Sequence, residues 1–426
     1  MAKILITCFG SLGDLYPYVS LAKTLQMRGH DVSIGSSTIF MSQIESEKIP
    51  FIHLHSPLDQ YTTPEKVRSF VSQAFDKVKG GEFITRTLMS GIEETYVDTL
   101  NAMESVDLVI SNPMAYATPI ACREQKVPWL STILAPMFFL SVYEPPIISP
   151  APWLRKIHRF SPPLYRGLFK LIKSASKPWT KPLYKLCENH QLPPPVAHPI
   201  FEGQYSPFGT LAMFPDTFAE AQPDWPVNTV MTGFPLFSSE ATRQTEVENL
   251  QLFIDDGDSP IVFALGSSAV NIAEDFYIIS AAIARKLNKR AVLVYGEHED
   301  QIKGIESGSD IFTINYVAYE KLFPYASLIV HQGGIGTLAQ SLAAQCPVLV
   351  IPFGFDQFDN GERIEKLGVG KYLPRDQYNV ENSTALIEEL LSEPHYRERA
   401  KSIGKMIKYD DGAANASDVI EQMLEL

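Results

Sequence analysis

Four short apolar runs in this chain each end at a small, polar loop, and that placement limits the possible folds more than any bulk property does. Lys3–Cys8 runs into Gly10-Ser11-Leu12-Gly13-Asp14, and Pro260–Leu265 into Gly266-Ser267-Ser268. Leu328–Val330 runs into His331-Gln332-Gly333-Gly334-Ile335-Gly336-Thr337, and Pro347–Ile351 into a loop carrying Asp356 and Gln357. Short, continuous apolar runs bounded by turn residues are strands buried on both faces. After the first run, Val19, Leu21, Ala22 and Leu25 fall mostly on one helical face, Gly29 stands at the C-terminal cap, and Asp31–Ile34 is the next strand. Strand, helix, strand opens a doubly wound parallel sheet, whose ligands sit at the carboxyl ends of the strands. Asp14, Ser267, His331 and Asp356 all lie there.

The chain has 426 residues, too many for one ordinary core, so two domains are expected. Further strands are expected at Phe51–Leu54, Asp107–Ile110, Trp129–Ile133, Leu211–Phe214 and Thr229–Met231, and helices at about 64–79 and 83–103. Ser238–Glu248 is polar and reads as a linker. Beyond it the alternation repeats, with strands at Ala291–Tyr295 and Ile311–Ile314 and helices to the end. The expected organisation is a first domain at 1–237, a linker at 238–248, a second domain at 249–404 and a closing helix at 405–426. The two α/β halves would face each other across a cleft. A dehydrogenase is disfavoured. The first glycine spacing is Gly-x-x-Gly, and the second strand ends in Gly35-Ser36-Ser37 with no acid to hold a ribose.

Net charge is −13, which argues against a nucleic-acid partner. The cysteines, Cys8, Cys122, Cys187 and Cys346, show no C-x-x-C spacing and read as buried thiols of a reducing compartment. The first residues hold too short an apolar run for a signal peptide, and no stretch approaches the ~20 apolar residues of a membrane span. A cytoplasmic protein is expected. One segment departs from the acidic background. Between Ala151 and Cys187 there is no Asp or Glu, but there are Arg155, Lys156, Arg159, Arg166, Lys170, Lys173, Lys177, Lys181 and Lys185, interleaved with Trp153, Ile157, Phe160, Leu164, Leu171 and Ile172. It reads either as ordinary surface helices or as a mobile, apolar-lined acceptor pocket. In the second case, contact with an anionic membrane surface or an acidic acceptor is possible in principle.

The glycine turn after Val330 carries the chemistry. Glycines permit positive φ and a close backbone approach. A helix opening after such a turn offers free N–H groups and a positive dipole end, which suits a phosphate. His331 adds a side-chain donor, while Asp356 and Gln357 offer an acceptor and an amide for sugar hydroxyls. A diphosphate on one side and a polyol on the other describe a nucleotide sugar.

His331-x-Gly333-Gly334-x-Gly336-Thr337, followed by Pro352-x-x-x-Asp356-Gln357, resembles the donor signature of family 1 glycosyltransferases of the GT-B architecture. The pattern is similar to that of bacterial antibiotic and rhamnolipid glycosyltransferases and of sterol glucosyltransferases. Gly10-Ser11-x-Gly13-Asp14-x-x-Pro17 is similar to the first motif of the antibiotic and sterol members. The resemblance implies two Rossmann-like domains. It also implies donor binding by Ser267, Ser268, Val317, His331, Gly333, Gly334, Gly336, Thr337, Asp356 and Gln357, with the nucleotide base near Tyr316-Val317-Ala318. Plant members carry a ribose-binding Glu where this chain has Ala339. A deoxythymidine diphosphate donor, which lacks a 2′-hydroxyl, tolerates that loss.

The expected reaction is inverting, metal-independent transfer of a hexose, glucose or rhamnose, from a UDP- or dTDP-sugar. The acceptor is a hydroxyl on a hydrophobic molecule: a flavonoid or other polyphenol, a sterol or a lipid. Asp14, in the loop with Gly10, Ser11 and Gly13, is the candidate base, and its alternative role is to cap the helix that follows. Nothing in the sequence selects Asp98 or Asp107 as its supporting carboxylate. No cofactor and no metal are expected beyond the nucleotide-sugar co-substrate. Asp256-Gly257-Asp258 precedes its strand and reads as a turn. The competing readings are a nucleotide-sugar 2-epimerase and a non-catalytic sugar-nucleotide-binding partner subunit.

Overall fold

The computed structural model describes residues 1–148, 151–238 and 244–425. The chain divides into two compact units, Met1–Pro235 with Asp411–Leu426, and Leu236–Asp410. Each is built on one parallel sheet.

The first unit holds seven strands: β1 Lys3–Thr7, β2 Asp31–Ser36, β3 Phe51–His53, β4 Leu108–Ser111, β5 Trp129–Ile133, β6 Thr210–Ala212 and β7 Thr229–Met231. Their order is β3-β2-β1-β4-β5-β6-β7, parallel throughout. Strand order reverses direction at β1, so the loop after β1 lies at a topological switch point, where such sheets bind ligands. Ile4, Leu5 and Ile6 are buried completely, as a central strand covered on both faces requires.

The second unit holds β8 Ile261–Ala264, β9 Ala291–Val294, β10 Ile311–Ile314, β11 Leu328–His331, β12 Val348–Val350 and β13 Gly370–Tyr372, in the order β10-β9-β8-β11-β12-β13. Its switch point falls between β8 and β11, and both strands run straight into candidate site loops. Its core is apolar from β8 to β11, with Val262, Ala264, Val292 and Ile329 packed on Leu322, Phe323 and Ala326.

Several boundaries differ from those read in the sequence. The helical stretch expected at 83–103 breaks at Gly91 into helices Gly80–Ser90 and Ile92–Ala102. Pro57 lies so close that a Cβ at Gly91 would come within 2.9 Å of it. The stretch expected at 64–79 stops at Ala74, because the chain folds back until Gly80 nearly touches the Ala74 carbonyl. Strand β13 was not foreseen. It is three residues long and begins with a glycine that has room for nothing larger against Val348 of β12. Of the linker expected at 238–248, residues 239–243 lie outside the described residues, and helix Gln244–Asp255 starts within the rest. Residue 405 falls inside helix Pro394–Tyr409, and the division between units comes at Asp410–Asp411.

The last helix, Gly412–Leu424, belongs to the first unit. Arg28, at the end of helix Leu12–Met27, pairs with Asp418 at 2.6 Å and Glu421 at 2.7 Å. His30 meets Glu421 at 3.0 Å, and Asn415 donates to the Thr232 carbonyl at 3.0 Å. Exposed pairs contribute little singly. The closer constraint is steric: a Cβ at Gly412 would come within 2.5 Å of the Gly233–Phe234 backbone. Among the described residues no helix is long and apolar enough to cross a membrane.

Candidate active site

In the loop after β1, Gly10 takes φ +132° and the chain turns at once into helix Leu12–Met27, with Ser11 as its N-cap. Asp14 is the third residue of that helix. Its Oδ2 accepts from the Ser11 N–H at 2.7 Å and from the Ser11 hydroxyl at 2.8 Å. It thus satisfies an N–H that a helix start leaves open. Burial outweighs these two bonds and raises the Asp14 pKa above its ordinary 3.8. A carboxylate biased towards taking up a proton is what a general base near neutrality needs. Both capping bonds fall on a single carboxylate oxygen, so capping does not by itself exclude a base role.

The loop is rigid around that acid. A Cβ on Gly10 would come within 2.5 Å of Asp14 Oδ2 and 2.6 Å of Met114 Cε, so only glycine admits the carboxylate there. Asn112 donates to the Phe9 carbonyl at 2.9 Å and accepts from the Met114 N–H at 2.9 Å, pinning the turn from β4. Pro17 has no N–H to offer the Gly13 carbonyl four residues back. Neither carboxylate considered in support reaches Asp14. Asp107 accepts from the Lys3 N–H at 2.7 Å, at the amino end of β1, and Asp98 accepts from the His55 N–H at 2.8 Å.

In the second unit the structure corrects the role given to His331. It is the last residue of β11 and is completely buried. Its Nδ1 accepts from the Gly333 N–H at 2.9 Å. Its Nε2 lies 3.3 Å from the Ser341 hydroxyl, which itself donates to the Leu338 carbonyl at 2.8 Å. The hydrogen therefore sits on Nε2, and both nitrogens are used inside the fold. Burial pushes the imidazole pKa down to about 3, so the ring stays neutral. His331 thus braces the turn from behind, with both ring nitrogens engaged inside the fold.

Alternation along the strand turns the next side chain, Gln332, the other way. Its Nε2 lies 3.3 Å from the Thr337 hydroxyl. A Cβ on Gly266 would stand 2.2 Å from that nitrogen, and one on Gly334 2.7 Å. Gln332 thus fills the space between the loop after β8 and the glycine turn, and its buried Oε1 has no partner among the described residues. Sequence reasoning missed it.

Gly333 takes φ +87°, and a Cβ there would meet Val350 at 2.5 Å. Gly334 caps helix Ile335–Ala343 without a side-chain bond. The Leu338 N–H is the first to close on the Gly334 carbonyl, at 2.9 Å. The N–H groups of Ile335, Gly336 and Thr337 are thus left to the site, at the positive end of the helix. Ser267 is exposed and Ser268 half-buried. Their loop is held by Asn271, whose Nδ2 donates to both carbonyls, at 2.8 and 3.1 Å.

Asp356 and Gln357 belong to the same assembly. Gln357 Oε1 accepts from the Phe353 and Gly354 N–H groups at 2.7 and 3.1 Å, shaping the loop after β12. Asn360 Nδ2 bridges Asp356 Oδ2 at 2.7 Å and the Gly333 carbonyl at 2.9 Å. One amide thereby couples the two motifs. Val317 follows strand β10. Its side chain is buried in the core cluster, so only its backbone is available, whereas Tyr316 beside it is exposed. Among the described residues there is no group of three His, Cys, Asp or Glu that could hold a metal ion.

Comparison with known proteins bears on this arrangement. Residues 4–144 match the glycosyltransferase family 28 N-terminal domain, and residues 290–423 match the erythromycin biosynthesis protein CIII-like C-terminal domain. The chain is 25% identical to sterol 3-beta-glucosyltransferase UGT80B1 of Arabidopsis thaliana, over 99% of its own length and 68% of the relative's. It is 26% identical to the O-mycaminosyltylonolide 6-deoxyallosyltransferase of Streptomyces fradiae, over 99% of its own length and 98% of the relative's. It spans about a third or less of the longer fungal sterol 3-beta-glucosyltransferases it also matches. Among solved structures, the glycotransferase of kitacinnamycin superposes with a TM-score of 0.72 at 18% identity, covering 99% of this chain and 98% of that one.

Proposed function

The chain belongs to the family 1 glycosyltransferases of GT-B fold, and from that premise we propose that it transfers a hexose from a UDP- or dTDP-sugar to a hydroxyl of a hydrophobic acceptor. The observation that carries this reading is Asp14: a carboxylate with a raised pKa, seated at the switch point of the first sheet and held there by Ser11. Sterols and antibiotic aglycones are the favoured acceptor classes, because the relatives named above include a sterol 3-beta-glucosyltransferase and an O-mycaminosyltylonolide 6-deoxyallosyltransferase.

Asp14 accepts the acceptor's hydroxyl proton as the oxygen attacks the anomeric carbon. The bond from that carbon to the diphosphate oxygen breaks on the opposite side, so configuration inverts. The leaving diphosphate takes the electron pair. Gln332, the N–H groups of Ile335, Gly336 and Thr337, and the Ser267 and Ser268 hydroxyls meet its growing charge. Such oriented donors are worth roughly 10²–10³ in rate apiece in a dry site. This donor set neutralises the diphosphate without a metal. Asp356 and the amide of Gln357 hold the sugar hydroxyls, which fixes the line of displacement.

The test is a mass-spectrometric transfer assay in EDTA, offering UDP-glucose and dTDP-rhamnose in turn against sterols, macrolide aglycones, flavonoids and hydroxy fatty acids. A glycoside of inverted configuration, formed in EDTA, is the expected result. An epimerised nucleotide sugar, or donor binding without any product across the panel, would overturn the reading.

A further inference from the structure

The basic segment of the first unit folds into helices Trp153–Phe160 and Pro162–Ser176, joined at Ser161. Their inward faces are accounted for: Leu154, Tyr165 and Phe169 pack with Phe201 into a satellite cluster. A second apolar row points outward. On the first helix Trp153 and Phe160 are a helical neighbour pair at i and i+7, 52% and 90% exposed. On the second, Leu164 and Leu171 have the same spacing, 53% and 66% exposed. Phe160 and Leu164 flank the Ser161 turn, so the two rows adjoin. A soluble surface rarely gathers large apolar side chains in this way without a use for them.

Charge indicates what that use is. The chain carries −13 overall, yet 151–187 contains no acid. Lys156, Arg159 and Lys170 stand exposed on these helices with no acidic partner among the described residues. Arg166 lies over the Tyr143 ring at 5.5 Å, while Lys173 is taken up by an ion pair with Glu202 and lies over Phe169 at 5.1 Å. An exposed apolar row edged by unpaired cations, on helices too short to span a bilayer, suits the headgroup boundary of an anionic membrane.

We propose that these two helices dock the enzyme reversibly on anionic lipid surfaces, with Trp153, Phe160, Leu164 and Leu171 entering the headgroup layer and Lys156, Arg159 and Lys170 held by lipid phosphates. The rest of the acidic chain would be repelled, which orients the molecule with this face down. The proposal stands apart from the transfer reaction, because its test contains neither donor nor acceptor.

The experiment is co-sedimentation of the full chain with phosphatidylcholine vesicles and with vesicles holding about a third phosphatidylglycerol. Partitioning into the anionic vesicles is expected to exceed that into neutral ones by about tenfold, and to fall steeply with added salt. Phe160→Ser combined with Leu171→Ser, and separately Lys156→Gln with Lys170→Gln, should each lower it by about tenfold at unchanged melting temperature. Because all four positions are exposed, neither pair threatens the fold. Equal partitioning into both vesicle types, none into either, or retention by both variant pairs would overturn the proposal. So would a dimer of the free protein that the Phe160→Ser, Leu171→Ser variant abolishes, since the face would then belong to a second copy of the chain.

Discussion

After β1 the first turn of the helix already holds its own anion. Asp14 closes on Ser11, and the N–H groups there are partly spoken for. After β11 the construction is the same, a strand, a positive-φ glycine and a helix start, but no acid stands in the first turn of Ile335–Ala343. The N–H groups of Ile335, Gly336 and Thr337 are not taken by any side chain of the corner, and Gln332 braces it by donating to the Thr337 hydroxyl. One βα corner thus serves two opposite ends, according to whether a carboxylate sits at its third helical position. On the proposed function, the first corner supplies the proton acceptor and the second receives the diphosphate.

The largest way to break this contrast is Asp14→Asn. The amide oxygen can still accept from Ser11, so the loop survives, but no base remains. Transfer should fall by roughly 10²–10⁴. The sign of the stability change is also fixed. A carboxyl whose folded pKa is raised loses stability as pH climbs through that pKa. Removing its charge should therefore raise the melting temperature at pH 7. For the wild type, the acid limb of the pH–rate profile should lie above the 3.8 of an ordinary aspartate, activity rising with pH as Asp14 ionises.

Gln332→Ala comes next. It removes the amide that bridges the glycine turn to the Thr337 hydroxyl and should cost about tenfold to a hundredfold in kcat/KM, measured with saturating acceptor. Gly10→Ala sharpens the comparison from the other corner. A Cβ 2.5 Å from Asp14 Oδ2 must displace the carboxylate, so activity should drop by about tenfold. The smallest effect on chemistry belongs to His331→Gln. Its donor affinity should stay close to wild type. Its stability should change in a defined pH window: a histidine held near a pKa of about 3 contributes stability that is complete above its unfolded value of 6.5 and lost as pH falls towards 3. Melting temperature against pH should be flatter in the variant across that window. A profile identical to wild type would contradict the buried neutral ring.

The corner architecture was legible in the sequence because short apolar runs each end at a loop of glycines and small polar residues. Asp14, Ser267 and Asp356 could all be placed after strands without coordinates. The complete burial of His331 could not. It turns on whether β11 ends at Val330 or one residue later, and in a strand one residue moves a side chain to the opposite face. Histidine also looks like a ligand-binding residue, and that chemistry concealed its burial. Asn360 and Asn271 stayed invisible for another reason. Their nitrogens bind backbone carbonyls, Gly333 in one case and Ser267 with Ser268 in the other, and no residue pattern encodes a carbonyl that has lost its partner.

The most direct test is calorimetric titration of UDP and dTDP into the wild type, Asp14→Asn and Gln332→Ala. Both nucleotides lack the transferable hexose and the acceptor, so they report the second corner alone. The account predicts that Asp14→Asn binds the better nucleotide within about twofold of wild type, while Gln332→Ala binds it about tenfold more weakly. Wild-type affinity in Gln332→Ala, or loss of binding in Asp14→Asn, would contradict the division of labour between the two corners.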